Sequence, residues 1–192
     1  MTETYRSDVI KWPMCEIRSN NWPTVEILEY YSHKNSSNST LKQAGVKWQD
    51  HFIAGNPDKV KQKMYYGIAE TLGLQDCQVL IQTQKPGQQM TVHLDAGARK
   101  TYAHLSDHDH KTLLKRAFIF LADWQEGQVV QMDGSNISGW KRGQVIGFDW
   151  TKVRHGTANF GNHDRPMLCV TGTDTNRWHQ LWNASEITQI DI

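Results

Sequence analysis

The stretch Cys77-Gln-Val-Leu-Ile-Gln-Thr-Gln84, the dipeptide Pro86-Gly87 and the stretch Gln88-Gln-Met-Thr-Val-His-Leu94 read as two strands joined at a turn. Short runs of β-forming residues bounded by Pro-Gly carry that signal. The second run delivers His93 and Asp95 near its end. In an extended chain, residues two apart point to the same side, so an imidazole and a carboxylate are aimed at one place. A lone His-x-Asp among nine histidines says little; its position at the end of a strand gives it weight.

Working outward, Gly143-Gln-Val-Ile-Gly-Phe148 leads through Asp149-Trp150 to His155, and Arg165 opens a further apolar run, Pro166 to Thr171. His93, Asp95 and His155 are thus candidate metal ligands on or beside strands. Two imidazoles and one carboxylate on one face of an ion form the facial triad of non-haem iron(II) oxygenases, which leaves the opposite face open to reactants. If a 2-oxo acid chelates through two oxygens, one position remains for O2. The remote carboxylate of 2-oxoglutarate then needs a cation, and the arginine fork matches a carboxylate with two parallel hydrogen bonds. Arg165 is the candidate anchor. Gln82, on the strand before the triad strand, is a candidate second donor to that carboxylate.

Four motifs carry a family resemblance. Trp140-Lys-Arg-Gly143, Phe148-Asp149, His155-Gly-Thr-Ala-Asn159 and Arg165-Pro-Met-Leu168 follow one another in that order. From about Gln78 to Thr173 the chain resembles the aspartyl/asparaginyl β-hydroxylase-like branch of the iron(II)/2-oxoglutarate-dependent dioxygenases. The resemblance implies a mainly β fold, a double-stranded β-helix (a cupin-like jelly roll) with one or more flanking helices. It also implies histidine ligands at His93 and His155, a co-substrate arginine at Arg165, and Fe(II), 2-oxoglutarate and O2 as the reacting group. Two features depart from the branch. Its members often have glycine where Asp95 stands, and Asp95 restores the full triad of the wider superfamily. The branch also tends to carry Arg-x-His on the next strand, where this chain has Arg116-Ala117-Phe118. Because a carboxylate fills the position a halide would take, hydroxylation is expected over halogenation. The expected substrate is an amino-acid side chain, in a peptide or a free amino acid.

Composition narrows the classes. With 192 residues and 38% hydrophobic content, one core is expected, and no break in composition suggests a second domain. The formal charge of +1, with acids and bases interspersed, gives no basic field of the kind that dominates nucleic-acid affinity, so such a partner is disfavoured. No apolar stretch approaches a membrane span, and the polar start has no signal-peptide core. A cytoplasmic location is the expectation. Cys15, Cys77 and Cys169 are widely spaced and form no Cys-x-x-Cys pair, which argues against a disulfide frame or thiolate site.

Residues 1–55 are expected to supply edge strands or a lid, with Asn35-Ser-Ser-Asn-Ser-Thr40 as a polar loop. A supporting helix is expected over 56–73. Asn56-Pro57-Asp58 caps it, Val60, Met64, Ile68 and Leu72 recur every four residues, and Gly73 stops it. Residues 77–173 form the expected catalytic core. The loop near 101–111 holds His104, His108 and His110 with Asp107 and Asp109 between them, a rival chelating cluster read as a solvated loop. Arg99, Lys100 and Tyr102 follow the triad strand, and His163 reads as a turn residue. Trp178 and Trp182, four apart, suit one face of a short helix covering the barrel, while Trp140 and Trp150 read chiefly as packing. The competing functional readings are a jelly-roll isomerase or hydrolase that uses the same triad without 2-oxoglutarate, and a barrel that binds a sugar or protein without chemistry.

Overall fold

A computed structural model describes residues 8–20, 22, 53–55, 59–95 and 113–192. Two sheets face each other. The strands are β1 (Ile10–Arg18), β2 (Ile53–Gly55), β3 (Leu74–Gln84), β4 (Gln89–His93), β5 (Leu114–Phe120), β6 (Gln128–Met132), β7 (Ser135–Ile137), β8 (Gln144–Asp149), β9 (His155–Asn159), β10 (Arg165–Asp174) and β11 (Thr188–Asp191). The helices are α1 (Lys59–Thr71) and α2 (Asn176–Asn183). The larger sheet has the order β11-β1-β8-β5-β10-β3-β2 and the smaller one β4-β9-β6-β7.

From β3 to β10 the chain passes back and forth between the sheets, with β6 and β7 paired as a hairpin in the smaller one. Eight strands wound in this way, four to each sheet, are a double-stranded β-helix, and the expected jelly-roll fold is the observed one. The turn at Pro86-Gly87 therefore carries the chain from one sheet to the other. Gly87 donates its backbone N–H to the Asn159 carbonyl at 2.7 Å, which ties this corner to the end of β9.

Burial follows from that layering. Phe118 and Phe120 of β5, Ile146 and Phe148 of β8, and Met167 and Cys169 of β10 fill the space between the sheets with Val130 and Met132 of β6. Trp140 belongs to this interior cluster and stacks on Phe120 with centroids 4.1 Å apart and planes 5° from parallel, a contact worth about 0.5–1.5 kcal/mol beyond its burial. Alternate residues of the same strands, Ala117, Ile119, Val145, Leu168 and Val170, point outward. They meet Tyr65, Ile68, Ala69 and Leu72 of α1 and its end, and Trp178 and Leu181 of α2. Strands β5 and β10 are consequently apolar on both faces, and the polar residues they bury are informative.

Helix α1 falls within the expected 56–73, and its expected cap at 56–58 lies outside the described residues. Gly73, at φ +77°, adopts the left-handed conformation that ends a helix. Helix α2 starts at Thr175, whose Oγ1 accepts from the Arg177 N–H at 3.3 Å. Its Trp178 and Trp182 stack at 6.0 Å, as their spacing predicted. Strand β1 differs from the expectation of an edge strand. It runs between β8 and a parallel partner, β11, while β2 does lie at the sheet edge. The polar loop at 35–40 lies outside the described residues.

Candidate metal centre

His93 ends β4 and His155 begins β9, and the two are direct partners across the antiparallel pair. Residues facing each other in this way project to the same side, and the imidazole centroids lie 4.6 Å apart. Each ring is oriented by a backbone carbonyl two residues earlier. His93 Nδ1 is 2.8 Å from the Thr91 oxygen, and His155 Nδ1 is 3.1 Å from the Val153 oxygen. A carbonyl only accepts, so the proton is assigned to Nδ1 in both rings and the Nε2 lone pairs are left for a ligand role.

Those lone pairs meet Asp95. His93 Nε2 is 3.8 Å from Asp95 Oδ1, and His155 Nε2 is 3.5 Å from Oδ2. One donor atom from each of the three residues lies within 4.8 Å of the others; the two contacts to Asp95 are inside the roughly 4.4 Å that a pair of bonds of about 2.2 Å can span, and a small inward movement of the side chains brings all three donors to one centre. The donor set fits a divalent transition metal: two neutral imidazoles and one carboxylate. Burial alone would raise the Asp95 carboxyl, but the Arg116 guanidinium, then His155, the Trp150 hydrogen bond and His93, hold it well below the usual carboxylate range. Burial, followed by the Arg116 charge, pushes His155 down to about 3 against the opposing pull of Asp95. At neutral pH the site therefore presents an ionised carboxylate and a neutral His155, the forms a metal binds.

A second layer holds the carboxylate. Arg116 Nη1 and Trp150 Nε1 both donate to Asp95 Oδ2, the latter at 2.5 Å. The guanidinium carbon sits 4.8 Å over the Trp150 ring, and Arg116 Nε donates to Thr171 Oγ1 at 2.9 Å. Arg116 of β5 and Trp150 just beyond β8 thus converge on one oxygen, and Thr171 of β10 holds Arg116 in place. Phe118 and Phe148 pack against His155 at 5.7 and 5.2 Å. Gly156 has a steric reason to follow the histidine. A Cβ there would come within 2.9 Å of the Met90 carbonyl and 3.0 Å of Val92 Cα, so the close approach of β4 and β9 requires glycine.

Farther along β9 the interior changes character. Arg165, first residue of β10, pairs in register with Gln84, last residue of β3. Its Nε and Nη2 donate to Gln84 Oε1 at 3.1 and 2.7 Å, and Nη1 lies 3.5 Å from Met167 Sδ. Gln84 Nε2 in turn donates to the Thr157 carbonyl at 3.2 Å. Asn159 Nδ2 donates to the Gln84 and His163 carbonyls at 2.9 and 2.8 Å. Strand β9 therefore links the two ends, His155 above and Asn159 below, four residues or about 13 Å apart. Arg165 is fully buried, and the loss of water pushes its guanidinium down to about 9. Among the described residues it forms no ion pair.

The structure thus brings His93, Asp95 and His155 to one point and puts Arg165 deeper in the same interior. Gln82 shares the inward face with Gln84 but stands opposite Met167, half-buried; among the described residues, the amide that grips Arg165 is that of Gln84. Sequence reading did not identify Gln84, nor the roles of Arg116 and Trp150 beside Asp95. His163 lies in the turn between β9 and β10, as expected. Arg99, Lys100, Tyr102, His104, Asp107, Asp109, His108 and His110 lie outside the described residues.

No protein-family model matches the sequence, and no curated protein matches it. Among solved structures it is similar to a Pseudomonas putida prolyl-4-hydroxylase, with a TM-score of 0.48 and 16% identity over 77% of this chain and 92% of that one. A viral collagen prolyl hydroxylase from Paramecium Bursaria Chlorella virus-1, solved in complex with 2OG, gives 0.41 and 15% over 77% and 95%. A predicted oxalate decarboxylase from Thermotoga maritima gives 0.40 and 16% over 64% and 80%.

Proposed function

We propose that this chain is an Fe(II)/2-oxoglutarate-dependent oxygenase that hydroxylates an amino-acid side chain, in a peptide or as a free amino acid. The observation that carries the reading is the pairing of two features inside one barrel. Near one end stand three converging metal donors. Deeper lies a buried guanidinium held by a neutral amide. A buried cation without a counter-charge is costly unless a ligand supplies the charge. The distal carboxylate of 2-oxoglutarate supplies it.

In this reading His93, Asp95 and His155 hold iron, with each imidazole oriented by its Nδ1–H bond and the carboxylate by Arg116 and Trp150. Iron(II) with chelated 2-oxoglutarate supplies the oxidation of an unactivated C–H bond by dioxygen, with release of succinate and carbon dioxide. Arg165 binds and orients the co-substrate through its far end, with Gln82 a further candidate donor on the same face. Phe118, Phe148 and Met167 line the space between with apolar surface that excludes water, which strengthens the charged contact. A jelly-roll isomerase or hydrolase using the same triad would not require a 2-oxo acid, and binding of 2-oxoglutarate separates the two readings. A cytoplasmic setting suits a ferrous site, and among the described residues no helix is long and apolar enough to cross a membrane.

Titration calorimetry of the full chain loaded with Mn(II), with 2-oxoglutarate as titrant, tests the proposal. One binding event per chain that disappears in Arg165→Met is expected. No binding by the metal-loaded wild type overturns it.

A further inference from the structure

Resting on that reading of Arg165, we infer that Gln84 is the positioning residue that makes the deep end of the barrel selective for a 2-oxo acid with a second carboxylate. It does so by holding the guanidinium in place without neutralising it. Three observations on the structure support this. First, Gln84 and Arg165 are direct cross-strand partners on β3 and β10, and a single oxygen, Gln84 Oε1, receives both Nε and Nη2. That fork is the geometry a carboxylate would occupy, yet the acceptor is an amide. Second, the other end of the amide is fixed. Gln84 Nε2 donates to the Thr157 carbonyl, so the orientation with Oε1 toward Arg165 is the one that satisfies both ends; a reversed amide would put donors against donors. Third, both side chains are buried, with Gln84 and Arg165 exposed by 0% and 2%, so solvent does not screen the remaining charge.

The mouth of the same barrel shows the contrasting arrangement. There the buried Arg116 faces a carboxylate, Asp95, and its charge is matched within the protein. At the deep end the charge is left for a ligand, and the amide-for-carboxylate difference at position 84 is what leaves it. A glutamate at this position would have the same length and reach and would close the ion pair internally. Arg165 would then keep its place and lose its function. Gln84 touches Arg165 and not the reacting atoms, so its effect must appear in which 2-oxo acid binds.

The test compares 2-oxoglutarate with 2-oxopentanoate, which has the same carbon chain and lacks the distal carboxylate, by titration calorimetry on Mn(II)-loaded full-length protein. Wild type should prefer 2-oxoglutarate by at least about 100-fold. Gln84→Glu should lose that preference, with its far-UV circular dichroism and unfolding transition showing that the variant is folded. Gln84→Met, neutral and of similar length, removes the hold but not the charge, and should keep a reduced preference of roughly 10-fold. If wild type prefers 2-oxoglutarate and Gln84→Glu retains the preference, the inference is wrong and the function stands. It also fails if Gln84→Met loses as much preference as Gln84→Glu, since packing and not charge would then be responsible. Equal binding of the two acids by wild type would instead remove the anchor role of Arg165, and the inference with it.

Discussion

Two arginines, Arg116 and Arg165, sit on neighbouring strands of one sheet and point into one barrel, both almost fully buried, and they stand in opposite electrostatic situations. Arg116 is matched by Asp95, lies over an indole ring and serves the carboxylate. Arg165 is matched by nothing more than an amide among the described residues. The comparison teaches that burial of a charge does not by itself identify a binding site. The nature of the partner does. A charge with its counter-charge is scaffolding, whereas one with a neutral partner stands ready for a ligand.

The contrast breaks most visibly at Asp95. In Asp95→Ala a metal held as proposed would lose a ligand and Arg116 would lose its counter-charge together. Metal affinity should fall by more than the 10–100-fold typical of losing an outer partner, and the metal-free protein should lose about 3–5 kcal/mol of stability. Metal titration and urea unfolding in chelator measure the two effects, and unchanged metal affinity would remove Asp95 from the ligand set. Arg165→Met should act on the other side of the contrast, weakening 2-oxoglutarate binding by roughly 2–5 kcal/mol. Its metal-free stability should change far less than that of Arg116→Met, because loss of the Gln84 hydrogen bond is offset by removal of a desolvated cation. Similar unfolding midpoints for the two arginine variants would erase the distinction.

Smaller changes sharpen the comparison. Trp150→Phe keeps an aromatic ring beneath Arg116 and removes one donor to Asp95 Oδ2, so metal affinity should fall by about 10–100-fold with the fold intact. Circular dichroism alongside metal titration separates these, and full affinity would make the indole N–H dispensable. The last test uses pH alone. Burial depresses Arg165 to about 9, and the cation is the form that binds a carboxylate. Affinity for 2-oxoglutarate should therefore be level from pH 7 to 8 and weaken only in the alkaline range, in the direction set by that lowering. A level profile up to pH 10.5 would mean the guanidinium keeps its charge without the ligand.

What could be read in the sequence was what is local. The alternation that aims His93 and Asp95 together spans three residues, and the four-residue step from Trp178 to Trp182 lies within one helix, so chain geometry alone supplied both. The jelly-roll fold followed from the resemblance of the motifs between Trp140 and Leu168. The missing pieces are contacts across strands. Gln84 meets Arg165 because β3 and β10 pair in one particular register, and Arg116 reaches Asp95 from the opposite sheet. Parity did place Gln82 and Gln84 on the same face; choosing between them needed the register, which a shift of two residues would have reversed. Strand β1 was obscured by Pro13 within its run, and β11 by its four-residue length.

The register shift between Met90 and His93 has a mechanical consequence. His155 stands on a strand with neighbours on both sides, whereas His93 ends β4, the outermost strand of the smaller sheet, just where its pairing becomes irregular. An ion shared by the two would act as a clasp, replacing the missing ladder bonds and sewing the loose margin of the barrel to its firm middle. Amide exchange along β4 should then slow on loading with metal, while that of β9 stays nearly as it was.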